Sequence, residues 1–258
     1  MKAIAVIPAR HASTRFPGKM LANRTGKPLI QHVYEQARKA RYIGRVVVAT
    51  DDGHIAEAVT NFGGEFVMTR LDHPNGTSRI AEAIGRLGPP QGGGLAACDS
   101  ALIVNVQGDE PEIDPELIDL AIATLDHPGH RDAVASTVAA PFGPHEDPGH
   151  PNIVKVVIDQ RGRALYFSRA AIPYNRDGEV GVPPMKHVGL YVYRREFLLS
   201  YPGLAATPLE KAEKLEQLRI LEHGHSIAVA VWSRPIDATG IDTPEQYDAF
   251  VNRTRTRS

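Results

Sequence analysis

Short, unbroken apolar runs that each give way to a polar loop and then to helical spacing constrain this chain most. Residues 3–7 (Ala-Ile-Ala-Val-Ile) make one such run, residues 45–50 (Arg-Val-Val-Val-Ala-Thr) a second, and residues 101–106 (Ala-Leu-Ile-Val-Asn-Val) a third. Continuous β-branched stretches of this length read as strands buried on both faces. Between them, residues 28–40 place Leu29, Val33 and Ala37 on one helical face; residues 55–62 and 78–87 are also helical, and residues 65–69 give a further short strand. Strand and helix in alternation predict a mostly parallel sheet covered on both sides. Ligands in such sheets sit beyond the carboxyl ends of the strands, so the loops after Ile7, Thr50 and Val106 hold the candidate site. The Gly/Pro-rich stretch 88–100 reads as a surface loop.

The texture changes near Pro141. Residues 145–151 form a loop by composition, while residues 154–158 and 187–193 alternate like strands with one solvated face. Residues 209–221 read as one helix and residues 226–231 as a last buried strand. Thr243 followed by Pro244 fits an N-cap and first helical position. The expectation is one α/β domain over residues 1–258 with a sheet-rich lobe at about 141–205. A net charge of −1 argues against bulk attraction to nucleic acid or anionic lipid. The single cysteine, Cys98, excludes an intrachain disulfide and a multi-cysteine zinc site. No stretch approaches the ~20 apolar residues of a membrane span, and the apolar start is interrupted by Arg10. A soluble protein of a reducing, cytoplasmic compartment is expected.

The loop after the first strand packs Arg10, Arg15, Lys19, Ser13, Thr14 and Gly18 into ten positions. Guanidinium forks, a compact ammonium and exposed amides suit a polyphosphate. Met20 follows Gly18-Lys19, so this is not a Walker A loop, and no Gly-x-Gly-x-x-Gly follows the strand. Asp109, in Gln107-Gly108-Asp109-Glu110-Pro111, lies at a strand's carboxyl end, where a carboxylate can hold Mg²⁺; a structural role serves it equally well. Glu110 before Pro111 fits a turn. Asp242 precedes a helix, and helix capping is its simpler reading from the residues alone.

Taken together, these segments resemble the CMP-Kdo synthetases, the 3-deoxy-manno-octulosonate (Kdo) cytidylyltransferases, over nearly the whole chain. The carrying stretches are residues 7–19, 48–51, 104–111, 154–157, 164–169, 186–191, 215–219 and 240–245. The resemblance implies a Rossmann-like, GT-A-like nucleotidyltransferase fold, a homodimer, CTP and Kdo as substrates, and Mg²⁺ as cofactor. It implies that Arg10, Ser13, Lys19 and Arg15 meet the CTP phosphates. Pro8, Ala9, Asn75, Gly76, Thr77, Arg79 and Gln107 would recognise the nucleoside. Asp109 and Asp242 would bind Mg²⁺, and Arg10, Lys19, Asp109 and Asp242 would carry catalysis. Arg169, His187, Tyr191, Glu216 and Gln217 would line the sugar site, with Arg169 and His187 supplying charge. Glu216 and Gln217 are adjacent on a helix and so point about 100° apart.

Two departures stand out: Ser78 where the family usually has an acid, and Phe16 where it usually has leucine. Another sugar acid, 8-amino-Kdo or a sialic acid, is the alternative acceptor. A glycosyltransferase would want an Asp-x-Asp motif, which Asp109-Glu110-Pro111 does not supply.

Overall fold

The computed structural model describes residues 2–10, 15–87, 101–176, 181–236 and 240–256. The first strand, β1 (Ala3–Ala9), is buried along almost its whole length. It pairs in parallel with β2 (Ile43–Thr50) on one side and β4 (Leu102–Asn105) on the other. β3 (Phe66–Met68) extends the parallel set beyond β2, giving the order β3-β2-β1-β4. The crossovers are α1 (Leu29–Lys39), α2 (Gly53–Asn61) and α3 (Gly76–Arg86). α1 buries Leu29, Ile30, Val33, Tyr34 and Ala37, the stripe the sequence spacing predicts. Asp52 caps α2 by accepting from the amides of His54 and Ile55, and Asn75 caps α3 through Ser78 N at 2.8 Å.

The chain forms two compact units, residues 1–119 with 238–258 and residues 120–237, the boundary falling within α4 (Pro115–Asp126). The second unit thus begins before and ends after the lobe expected at 141–205. It is built on β5 (Ala133–Pro141), which pairs antiparallel with β8 (Met185–Arg194) and parallel with β9 (Ser226–Val231). β6 (Lys155–Ile158) pairs antiparallel with both β7 (Ala164–Ser168) and β8. α5 (Arg195–Ser200), α6 (Pro208–Glu213) and α7 (Gln217–Glu222) complete this unit.

The single helix expected at 209–221 is therefore two. Lys214 takes a left-handed conformation with φ of 55°, and Leu215 N returns to Glu210 O at 3.3 Å. That ends α6 as helices commonly end, and it turns Leu215 into the core at 6% exposure. The chain re-enters the first unit through α8 (Pro244–Thr256), whose Tyr247, Phe250 and Val251 pack with Leu29 and Ile241. No helix among the described residues is long and apolar enough to cross a membrane.

Candidate active site

Lys19 enters a single 3-10 turn through Gly18, whose φ of 69° is left-handed and suits a residue without Cβ. Its side chain is buried, and the ammonium donates to Asp109 Oδ2 at 2.8 Å, Ile241 O at 2.8 Å and Asp242 Oδ1 at 3.1 Å. All three of its hydrogens are thereby used on the protein, where the resemblance put them on phosphate. Arg15 Nη2 reaches the other oxygen of Asp242 at 2.9 Å.

Backbone geometry makes this convergence possible. A Cβ on Gly108 would lie 2.9 Å from Pro8 O, so only glycine lets the loop after β4 lie against the end of β1. Ile241 N donates to Asp109 O at 2.8 Å, fixing the Asp242 segment beside Asp109. Asp242 does not cap α8, contrary to its simpler sequence reading. Thr243 Oγ1 accepts from Gln246 N at 3.4 Å, and Gln246 Oε1 accepts from the amides of Asp242 and Thr243. This Thr-x-x-Gln box satisfies the helix start and leaves the Asp242 carboxylate for the cations.

Two carboxylates that meet within 3.1 Å of one cationic nitrogen are a donor set that fits Mg²⁺, which takes one or two carboxylates and completes its shell with water and substrate phosphates. Among the described residues no group of three or more His, Cys, Asp or Glu stands ready to hold a metal by protein ligands alone. Next to Asp109, burial and the Asp109 charge push the Glu110 carboxyl up to about 8. Glu110 N also donates to Gln107 O at 3.3 Å, the turn its sequence suggests.

Pro8 and Ala9 close β1, and Arg10 is exposed just beyond it; Ser13 lies outside the described residues. Gly76, at the start of α3, lies beside Pro8, a Cβ there standing 3.6 Å from Pro8 Cγ. Thr77 is buried, and Gln107 Nε2 donates to Asn105 Oδ1 at 3.5 Å. The Arg79 guanidinium is committed elsewhere, to Asp51 Oδ2 and Thr69 Oγ1, each at 2.6 Å. Both side chains of the Arg79–Asp51 pair are nearly inaccessible, so Arg79 ties α3 to the ends of β2 and β3. Sequence reasoning placed Asp51 within the 48–51 stretch that carries the resemblance and gave it no role.

In the second unit, β8 carries His187 and Tyr191 with ring centroids 5.5 Å apart. The β5–β8 register slips between Thr137, opposite Tyr191, and Val138, opposite Val188, an irregularity of the kind that re-aims side chains. Thr137 Oγ1 lies 2.8 Å from Leu190 O and 2.9 Å from His187 Nε2. A hydroxyl donating to that carbonyl accepts from the imidazole. Burial lowers the His187 pKa to about 3, so the ring is neutral at pH 7 and does not supply the positive charge expected of it. Burial also raises Tyr191 well above the phenol value, opposed by the neighbouring Thr137 hydroxyl.

Arg169 follows β7. Its guanidinium donates to Glu213 O at 2.7 Å, Pro151 O at 3.0 Å and Lys214 O at 3.5 Å. The break after α6 supplies two of those carbonyls. Glu216 is exposed and Gln217 is buried at the start of α7, so the adjacent pair divides as its helical spacing demands. Sequence reasoning missed Lys155 and Glu213. The available signal was a lysine inside the apolar run Val154-Lys155-Val156-Val157-Ile158.

A β3-β2-β1-β4 parallel sheet with cations and paired carboxylates at the carboxyl ends defines a nucleotidyltransferase-type α/β protein. Residues 4–227 match the family described as Cytidylyltransferase. The 3-deoxy-manno-octulosonate cytidylyltransferase of Syntrophotalea carbinolica is 50% identical over 254 residues, 95% of each chain. That of Geobacter metallireducens is 48% identical, covering 98% of each. The solved structure of CMP:2-keto-3-deoxy-manno-octonic acid synthetase complexed with CTP superposes with a TM-score of 0.89 at 37% identity, all of both chains being covered. The inositol-1-phosphate CTP transferase of T. maritima, at 13% identity and a TM-score of 0.64, shares the fold. The chain belongs to the 3-deoxy-manno-octulosonate cytidylyltransferase family.

Proposed function

We propose that this protein transfers CMP from CTP to the anomeric hydroxyl of Kdo, releasing pyrophosphate, as a cytoplasmic homodimer supplying activated Kdo for lipopolysaccharide or a related glycan. The observation that carries this reading is 50% identity over 95% of both chains to an enzyme of that name. The convergence of Asp109 and Asp242 on one cationic point agrees with it.

In the proposed reaction the C2 oxygen of Kdo bonds to the α-phosphorus of CTP, and the bond from that phosphorus to the β-phosphate oxygen breaks. The hydroxyl proton passes to solvent. No side-chain nucleophile is needed, so positioning and electrostatics carry the rate. Asp109 and Asp242 would hold Mg²⁺, which when bound stabilises charge on the transferring phosphoryl group. Lys19 keeps the two carboxylates facing one point, and Arg10 and Arg15 offer donors to the anionic phosphates. In the second unit the Tyr191 hydroxyl and the neutral His187 ring meet sugar hydroxyls.

Pyrophosphate release with CTP and Mg²⁺ tests this, with Kdo, 8-amino-Kdo or a sialic acid supplied in turn. Release with Kdo, abolished by EDTA and reduced about 100-fold or more in Asp109→Asn with an unchanged circular dichroism spectrum, is expected. Release with only another acid overturns the acceptor, and near-normal turnover by Asp109→Asn overturns the metal assignment.

A further inference from the structure

Lys155 is fully buried, yet it forms no ion pair among the described residues. Its ammonium donates to three backbone carbonyls: His150 O at 3.1 Å, Ile153 O at 2.6 Å and Arg169 O at 2.5 Å. A buried cation is costly unless every hydrogen is satisfied, and three converging carbonyls meet that demand. Those carbonyls come from two segments, the loop 150–153 and the end of β7.

The same segments are bound a second time. Arg169 reaches back to Pro151 O and forward to Glu213 O, while the Glu213 carboxylate accepts from Ser168 Oγ at 2.6 Å and Arg169 N at 2.9 Å. Lys155 and Glu213 therefore hold Arg169 from both sides, and Glu213 stands three residues before Glu216. All three Lys155 hydrogens are spent within this network, and each Glu213 carboxylate oxygen accepts one of its bonds.

We propose that Lys155 and Glu213 are positioning residues for the acidic acceptor: they fix Arg169, and the turn leading to Glu216 and Gln217, in the geometry that receives the sugar. This rests on Kdo being the acceptor. Burial lowers the Lys155 pKa, and the Asp147 and Glu213 charges oppose that shift.

The test is steady-state pyrophosphate release by wild type, Lys155→Met and Glu213→Gln, with KM measured separately for Kdo and CTP. Methionine keeps much of the volume and removes the donors. A rise of about ten-fold in KM for Kdo is expected for Lys155→Met, and a smaller rise for Glu213→Gln, with KM for CTP within about two-fold of wild type. If Lys155→Met does not fold, Glu213→Gln decides alone. A lowered melting temperature with unchanged KM for Kdo in the folded variants makes the network purely structural and overturns the inference, as does an equal rise in both KM values. Absence of Kdo-dependent release by wild type overturns the acceptor itself, and is told apart because it needs no variant.

Discussion

His187 shows how one side chain's surroundings set its chemistry. A solvated imidazole titrates near 6.5, but desolvation of the half-buried ring in β8 lowers it to about 3. The unfolded chain therefore binds a proton between these values that the folded chain refuses. Stability contributed by the neutral ring is complete above about pH 6.5 and is lost as pH falls toward 3. Urea unfolding of wild type and His187→Gln at pH 7.5 and pH 5 isolates this group, because other titrations cancel in the difference. Wild type is expected to lose about 1–2 kcal/mol more than the variant over that interval; equal losses would show that the ring is accessible to protons when folded. The presence of His187 in the site is implied by the Lys186–Tyr191 stretch, but its charge state is not. That depends on packing against Phe167, whose ring lies 5.0 Å away on a different strand.

Elements were legible where local pattern and tertiary demand coincide. β9 runs Ser226–Val231 as the apolar run predicts, and α8 starts at Pro244 behind its Thr243 cap. β5 is different: in Ala133–Pro141 two valines and a threonine are diluted by four alanines, a serine and a closing proline, a mixed local signal, and the run is paired as a strand by β8 and β9 on either side. The break at Lys214 is likewise hidden, since its cause is the burial of Leu215. The loop between β4 and α4 gives this scale its prediction. Gly108→Ala would place a Cβ 2.9 Å from Pro8 O, 3.1 Å from Met20 Cε and 3.4 Å from Met20 Sδ. The carbonyl belongs to a strand paired on both sides and has little room to yield. A loss of about 1–3 kcal/mol is expected, with turnover reduced more than stability because Asp109 moves with the loop. Gly76→Ala meets nothing closer than 3.6 Å and should leave the unfolding free energy within about 0.5 kcal/mol of wild type. Equal effects on stability from the two would sink the close-approach argument.

At the scale of the molecule, the decisive fact is how far apart in sequence the converging residues lie. Lys19 meets Asp109 across 90 positions and Asp242 across 223, and no local pattern encodes such a meeting. Family resemblance named the three residues, whereas the ammonium bridging both carboxylates was not foreseen. What returns Asp242 to the first unit is the apolar cluster of Leu29, Ile241, Tyr247, Phe250 and Val251, with Phe16 packed against it. Here the larger Phe16 in place of leucine finds its partner, the Tyr247 ring at 5.6 Å. Tyr247 OH also accepts from Arg24 N at 2.8 Å. Tyr247→Ala is expected to cost about 3–4 kcal/mol, as for other large-to-small aromatic changes. It should also raise the Mg²⁺ concentration needed for half-maximal activity, because the cluster holds Ile241 and hence Asp242. Tyr247→Phe removes only the hydroxyl, for about 1 kcal/mol, and should leave the Mg²⁺ requirement unchanged. Denaturant titration and Mg²⁺ activation curves on both variants separate the contributions. If Tyr247→Ala destabilises the protein but keeps the wild-type Mg²⁺ requirement, the cluster stabilises the first unit without placing its second carboxylate.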